Sequence, residues 1–279
     1  MKTNERAAAD GNRLFKKSVV AVYETETFGS FLKDVLHPGG LELTRRAFEV
    51  ARIDKNCAVL DIASGTGESI FLLAEEFGCP AVGIDLSLPK IVRAATGATE
   101  RNLGKGFSFL VSDAEVLPFT DAVFDVVVSE CSFSVLPSKG KAASEIARVL
   151  KPGGRLVMTD IVLGTGSTGG ASDGFTAGTD LTLPCIAGAQ SVADYVEIFR
   201  ESGLYDAYVE DHSKELKKIA YQMALSFGGW KEFLQVLSSE LCHKSSGKKE
   251  AENLCYIEPR RKAAGSGKPG YALIRVTKP

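Results

Sequence analysis

The sequence predicts an α/β fold in which a mostly parallel sheet is covered by helices on both faces. Between residues 58 and 163, short β-branched apolar runs alternate with helical patterns, which is typical of βαβ units. The chain has 279 residues, enough to bury a full core without disulfides. Its six cysteines stand singly, with no CxxC pair, so a disulfide framework is not expected.

The central elements follow in order along the chain. Five strands are predicted, at residues 58–63, 81–86, 107–111, 124–129 and 155–161. The helix between the first two strands has apolar residues at intervals of three and four, namely Ile70, Leu73, Ala74 and Phe77. Gly78 is expected to end that helix, Ser87 to precede the second helix, and Pro152 to follow the third.

The flanking segments are less regular. Residues 13–52 have a helical pattern broken at residues 37–40, so residues 1–53 are predicted to form a helical cap over the ligand edge of the sheet. The glycine-rich residues 164–190 are predicted to form a mobile lid. Ser191 and Asp194 then form a capping box that begins a further helix.

Two more strands are predicted near the C-terminus, at residues 205–210 and 271–277. The predicted core therefore spans residues 54–211, and its last strand lies within 271–279. Residues 212–270 form an insertion that begins with two amphipathic helices. The basic segment that ends the insertion fits either a solvated loop or an anion contact.

The most informative motif is a strand that runs into a turn of small residues, where a backbone can approach a ligand closely. The turn contains Gly65 and Gly67, and Asp85 ends the next strand twenty residues after Gly65. A carboxylate at that place can accept both hydroxyls of a ribose. A dinucleotide fingerprint would need a third glycine where Ile70 stands. The pattern therefore indicates an adenosine-like ligand across the carboxyl ends of the strands.

Five motifs in order, at residues 60–67, 83–87, 113–115, 124–127 and 150–156, resemble those of class I S-adenosylmethionine (SAM)-dependent methyltransferases. The resemblance implies a Rossmann-like fold with a seven-stranded sheet, SAM as donor and S-adenosylhomocysteine as product. It implies that the glycine turn holds the methionine part of SAM and that Asp85 holds its ribose. It also implies that Asp113 and Ala114 bind the adenine ring. Ala63 stands where the family usually has glycine. The donor-binding residues predicted in this way are Asp61, Ala63, Ser64, Gly65, Gly67, Asp85, Leu86, Asp113, Ala114, Ser129 and Glu130.

Two cysteines are candidates for the acceptor side. The contexts of Cys131 and Cys185 resemble the arsenite methyltransferase branch, whose cysteines at these places bind trivalent arsenic. Soft thiolates suit a soft acceptor atom, although free cysteines also commonly fill small buried spaces. No cysteine precedes Cys57, so a third thiol would have to come from Cys242, Cys255 or a small thiol cofactor.

Other acceptors would need a base. For a hydroxyl or a carbon acid, the candidate bases are His37, Asp160 and Glu130. The predicted catalytic set consists of His37 and Asp160 together with Cys131 and Cys185. No metal is assigned, because Cys242, His243 and Cys255 have no recognised zinc spacing.

The sequence thus predicts a methyltransferase that acts on a small-molecule acceptor. The acceptor is either a soft one, such as trivalent arsenic, or a quinone-like or other molecule methylated on carbon or oxygen. A SAM-binding sensor without turnover is the alternative of another class. A net charge of −2 argues against nucleic acid as a partner. No apolar run approaches the ~20 residues of a membrane helix, and no secretory signal is recognised, so a cytoplasmic location is expected. The oligomeric state is left open.

Overall fold

The computed structural model describes residues 2–32, 37–164, 183–244 and 268–279. The strands are β1 Val59–Ile62, β2 Ala81–Asp85, β3 Phe107–Val111, β4 Phe124–Glu130, β5 Leu150–Leu163, β6 Tyr205–Asp211 and β7 Pro269–Thr277. The helices are α1 Lys2–Tyr23, α2 Glu26–Leu32, α3 Gly40–Val50, α4 Glu68–Leu72, α5 Leu88–Glu100, α6 Lys139–Val149, α7 Pro184–Ala187, α8 Val192–Glu201, α9 Ser213–Phe227 and α10 Trp230–Lys244.

The seven strands form one sheet in the order β3-β2-β1-β4-β5-β7-β6. β7 lies between β5 and β6 and runs antiparallel to both, while the remaining pairs are parallel. The predicted α/β fold with a seven-stranded, mostly parallel sheet is confirmed. Strand order reverses direction at β1, which brings the ends of β1, β2 and β4 together at one edge.

Three boundaries differ from the sequence predictions. α4 continues as one π-helical turn, Leu73–Phe77, before Gly78 ends it at φ 64°. α6 ends at Val149, before Pro152 as predicted, but β5 already begins at Leu150, five residues before the predicted start at 155. α1 begins at Lys2, eleven residues before the predicted start. Local sequence signals set element type better than element ends.

The last part of the predicted mobile segment is ordered. Residues 165–182 lie outside the described residues, but Pro184, Cys185 and Ile186 are buried in α7. A Cβ on Gly188 would stand 2.1 Å from the Ser134 carbonyl oxygen, so only glycine permits this approach. The contact holds α7 against the loop that follows β4.

The insertion packs against the N-terminal helices rather than standing apart. α9 and α10 pair with each other, and α10 also contacts α1 and α2. An aromatic cluster lies between them, consisting of Phe28, Phe31, Phe227, Trp230 and Phe233. Within the described ranges, no helix is long and apolar enough to cross a membrane.

Candidate active site

A donor cleft opens at the carboxyl edge of the sheet and contains about 1160 Å³ of space, part of it open to solvent. Loops after β1, β2, β3 and β4 supply its floor, and one face of α1 supplies its cover. Most residues predicted to bind the donor line this cleft, namely Asp61, Ala63, Ser64, Gly65, Asp85, Leu86, Asp113, Ala114 and Glu130.

The turn after β1 is bound to the end of β2 through Asp85. The amide of Gly65 donates to Asp85 Oδ2 at 3.0 Å, and the amide of Ser87 donates to Oδ1 at 2.8 Å. Ala63 and Gly65 have positive φ angles of 58° and 56°, which is how the chain turns so tightly. Each carboxylate oxygen keeps a free lone pair, so the Asp85 carboxylate can still accept a ribose hydroxyl.

A second group of polar residues lies around Glu130. Its carboxylate accepts from Thr44 Oγ1 at 2.9 Å and from Ser69 Oγ at 2.5 Å. The His37 Nε2 atom is 3.5 Å from Glu130 Oε1 and 3.2 Å from Thr44 Oγ1. Burial raises the pKa of Asp61 well above its usual value, and the charges of Glu130 and Asp85 add to that rise. Clustered carboxylates of this kind favour a ligand with positive charge.

The adenine end of the cleft is covered by α1. Lys16 Nζ lies 2.7 Å from Asp113 Oδ2 and 2.7 Å from Glu115 Oε2. Burial lowers the pKa of Lys16, but hydrogen bonds to both carboxylates outweigh it and the net shift is upward. The Asp113 Oδ1 atom also accepts from the Glu115 amide at 2.9 Å.

Sequence reasoning missed two lysines of the cleft, Lys16 of α1 and Lys90 of α5. Lys16 and Tyr23 reach the cleft from α1, and Lys90 reaches it from the first turn of α5. The Lys90 ammonium lies 5.6 Å from the centre of the Tyr23 ring, and burial lowers its pKa. The only available signal was the spacing of Lys16, Val20 and Tyr23 by four and three residues, which places them on one helix face.

A second, apolar pocket of about 460 Å³ adjoins the donor cleft. Its lining comes from α2, the residues around α7 and the helical insertion: Tyr23, Phe28, Phe31, Pro38, Cys131, Ile161, Leu183, Cys185, Ile186, Leu216, Ile219, Met223 and Trp230. Of these, Tyr23 and Cys131 also line the donor cleft. Within the described part of the chain, these two residues therefore mark the junction of the two spaces.

The two cysteines predicted for the acceptor side meet at this junction. A hydrogen bond to Cys185, followed by burial, raises the pKa of Cys131 well above its usual value. The same hydrogen bond lowers the pKa of Cys185, and a contact with the Tyr23 hydroxyl lowers it further. Cys185 therefore loses its proton first. Cys131 adopts a left-handed φ of 49°, a conformation that is strained for a residue with a Cβ.

Three predicted site residues do not line either space. Gly67 lies beneath the turn, where a Cβ would stand 2.9 Å from the Phe109 ring. Ser129 points to the opposite face of β4 from Glu130 and hydrogen-bonds Ser132 Oγ at 2.8 Å. Asp160 is fully buried and accepts from the amides of Ser134 and Ile161. None of the three lines the donor cleft or the apolar pocket, so their contact with a ligand stays a prediction.

Asp160 lies behind the thiol pair instead of facing the acceptor space. Burial raises its pKa, although the hydrogen bonds from Ser134 and Ile161 oppose that rise. His37 lines the donor cleft but not the apolar pocket, which its neighbour Pro38 lines. Its buried ring is held between Thr44 and Glu130.

The other cysteines lie away from the junction or outside the described side chains. Cys57 precedes β1 beside Asp54, and Cys79 is buried just before β2. Nothing can be said of the predicted contributions of Cys242 and Cys255, whose side chains are not described. Over the described ranges, no group of three or more His, Cys, Asp or Glu residues could hold a metal ion.

Comparison with known proteins decides the family. Residues 53–226, more than half of the chain, match a family model described as a methyltransferase domain. The chain belongs to this methyltransferase family. SAM is thus the donor for which the cleft is built, and the predicted membership of the class I SAM-dependent methyltransferases is confirmed.

Known relatives differ in what they act on. An arsenite methyltransferase of Halobacterium salinarum is 31% identical over 147 residues, covering 52% of this chain and 36% of that protein. The chain thus spans about a third of that relative's length. The solved structure of the [4+2]-cyclase SpnF has a TM-score of 0.61 and 26% identity, covering 85% of this chain and 80% of the cyclase.

A third likeness shows the fold alone. Phosphoethanolamine N-methyltransferase 2 of Haemonchus contortus, solved with SAM, has a TM-score of 0.67 at 19% identity. The alignment covers 95% of this chain and 60% of that protein. The shared fold therefore extends through the helical insertion, well beyond the motif-bearing core.

Proposed function

We propose that this protein transfers the methyl group of SAM to a small-molecule acceptor that reaches the donor cleft between Tyr23 and Cys131. The observation that carries the proposal is the meeting of two unlike spaces at these two residues. The donor cleft has the carboxylates expected for a nucleoside with a positive charge, and the adjoining pocket can hold a second molecule.

The chain's part in the reaction is chiefly positioning. SAM supplies an electrophilic methyl group on a positively charged sulfur. Asp85 holds the ribose, Glu130 and Asp61 favour the positive end, and α1 covers the bound nucleoside. Holding the acceptor in line at about 3 Å from the methyl carbon can contribute roughly 7–11 kcal/mol to catalysis. No covalent intermediate with the enzyme is required.

A thiophilic acceptor such as trivalent arsenic is one candidate, favoured by the sulfur pair. Cys131 and Cys185 come from distant parts of the chain, yet both line the apolar pocket and each shifts the pKa of the other. Two adjacent sulfurs, one of which loses its proton readily, are suitable ligands for a soft atom. Among the described residues no third thiol lines either space, so Cys242, Cys255 or a small thiol would complete the coordination.

A carbon or oxygen acceptor, such as a quinone-like ring, is the other candidate and is favoured by the apolar walls of the pocket. Cys185 lines the pocket and its pKa is lowered, so its thiolate could take a proton from such an acceptor. A SAM sensor without turnover would need no acceptor pocket next to the donor cleft.

One experiment separates these possibilities. The purified protein is incubated with SAM and, in parallel, with arsenite plus glutathione or with a hydroquinone, and S-adenosylhomocysteine is quantified. Acceptor-dependent product is expected in one arm, whereas SAM binding without product in any arm would indicate a sensor.

The double variant Cys131→Ser/Cys185→Ser identifies the acceptor chemistry. It should abolish arsenite-dependent turnover while SAM affinity, measured by calorimetry, stays within about twofold of the parent protein. A matched control is Cys57→Ser/Cys79→Ser, in which both thiols lie away from the junction. Full arsenite turnover by the first double variant would contradict the thiophilic candidate.

A further inference from the structure

We infer that the helical insertion, together with α2, forms a specificity pocket for an acceptor with one polar, reacting end and an uncharged apolar body. This inference rests on the proposed methyl transfer and goes further, since it assigns the class of acceptor and a role for α9 and α10. The evidence comes from the lining of the apolar pocket, its size and the position of its few polar atoms.

The lining of the pocket would penalise a charged ligand. None of its thirteen lining residues among the described ranges is Asp, Glu, Lys, Arg or His. A charged group moved into such a space loses its hydration without gaining a partner, which costs several kcal/mol. The donor cleft differs sharply, because Asp61, Asp85 and Glu130 all line it.

The pocket is a narrow space. Water-sized spheres can occupy about 40 Å³ of it, against about 150 Å³ in the donor cleft. One water molecule requires roughly 10–15 Å³ measured in this way. The space therefore suits a slender apolar group.

The walls at the far end are well fixed. Met223 and Trp230 line the pocket from α9 and α10, and Phe31 lines it from α2. Behind them Phe233 is fully buried, and its ring lies 5.6 Å from that of Phe31 and 6.0 Å from that of Trp230. Close-packed aromatic rings hold the shape of a wall, so the pocket can select by size.

Polar side-chain atoms suited to the reacting end gather at the junction. Tyr23, Cys131 and Cys185 line the apolar pocket together, and Tyr23 and Cys131 also line the donor cleft. An acceptor that places its nucleophilic atom beside these groups therefore directs its remaining atoms toward α9 and α10. The arrangement fits a prenyl or aryl alcohol, phenol or thiol better than a small polar metabolite.

The chain provides its own reporter for a test. Trp230 is the only tryptophan in the sequence and lines the pocket. Geraniol and geranyl phosphate serve as probes, because they share an apolar body and differ in charge. We expect geraniol to change the Trp230 emission with a dissociation constant at least tenfold lower than that of geranyl phosphate. Equal or tighter binding of the phosphate would overturn the inference.

Two variants tie the signal to the pocket. Ile219→Phe narrows the space and should weaken geraniol binding at least fivefold, while the control Leu225→Phe changes an exposed residue of the same helix and should leave it unchanged. Met223→Ala lengthens the space and should improve binding of farnesol relative to geraniol. Geraniol affinity that is indifferent to both pocket variants would refute the assignment.

Asp85→Ala keeps this test separate from the proposed function. It should remove SAM binding and leave the geraniol response intact, because Asp85 lines only the donor cleft. Failure of geraniol binding in a protein that still binds SAM would contradict the specificity pocket alone. Geraniol binding in a protein that forms no S-adenosylhomocysteine with any acceptor would contradict the methyl transfer alone.

Discussion

The donor cleft and the apolar pocket share Tyr23 and Cys131 but are built in opposite ways. Polar groups of the cleft come mostly from residues directly after parallel strands, and their hydrogen bonds to nearby amides fix them in place. The pocket is lined by side chains of helices that are far apart in sequence. The difference shows that the sheet edge builds the donor cleft, whereas the added helices build much of the pocket that we propose for the acceptor.

The largest expected effect tests the donor side of this comparison. Asp85→Ala should weaken SAM binding about 100-fold, because a charged hydrogen bond is worth ~1.5–3 kcal/mol and a ribose offers two hydroxyls. Isothermal titration calorimetry measures the change. Asp121→Ala, which alters an aspartate that is 77% exposed, is the control and should bind SAM normally.

The next prediction concerns the shared boundary between the two spaces. Cys185 should form a thiolate at lower pH than an ordinary thiol, since Cys131 donates a hydrogen bond to it. Absorbance at 240 nm, compared with a Cys185→Ser variant, follows this titration. Cys131→Ala removes the donor and should move the transition to higher pH; an unchanged transition would disprove the coupling.

A smaller effect is expected where α1 covers the donor cleft. Lys16→Ala removes the contacts with Asp113 and Glu115, which are together worth about 1 kcal/mol for partly exposed ion pairs. Stopped-flow measurement should show SAM dissociating about fivefold faster. Lys17→Ala, at the exposed neighbouring position, should leave the rate unchanged.

The smallest effect sharpens the view of the glycine turn. Ala63 has a φ of 58°, a conformation that costs a residue with a Cβ about 1 kcal/mol relative to glycine. Ala63→Gly should raise the free energy of unfolding by up to that amount in urea titrations. Ala122→Gly, at φ 56° and away from both spaces, should stabilise to a similar extent without altering SAM affinity.

The donor side could be predicted from sequence because its signals are local. The Gly65 turn and Asp85 follow consecutive strands, and register places such residues at one edge of the sheet. Gly67, Ser129 and Asp160 were assigned to the site because they stand near strand ends. Burial and the alternation of side chains along a strand turn them away, which motif spacing does not reveal.

The acceptor side could be predicted only in part. The pairing of Cys131 with Cys185 followed from family resemblance, and the structure brings the two thiols together. The role of Trp230 could not be predicted, because helical periodicity identifies an apolar face but not the element that it packs against. Contacts between residues about 200 positions apart leave no local pattern.

The position of α1 has a consequence for turnover. Lys16 binds Asp113 and Glu115 at one end of the covering face, and Glu24 binds Ser87 at the other. If spent cofactor leaves on the side that α1 covers, both ends must first detach. Under the proposed methyl transfer, the frequency of such a hinge-like excursion of the amino-terminal arm would then set an upper limit on the steady-state rate.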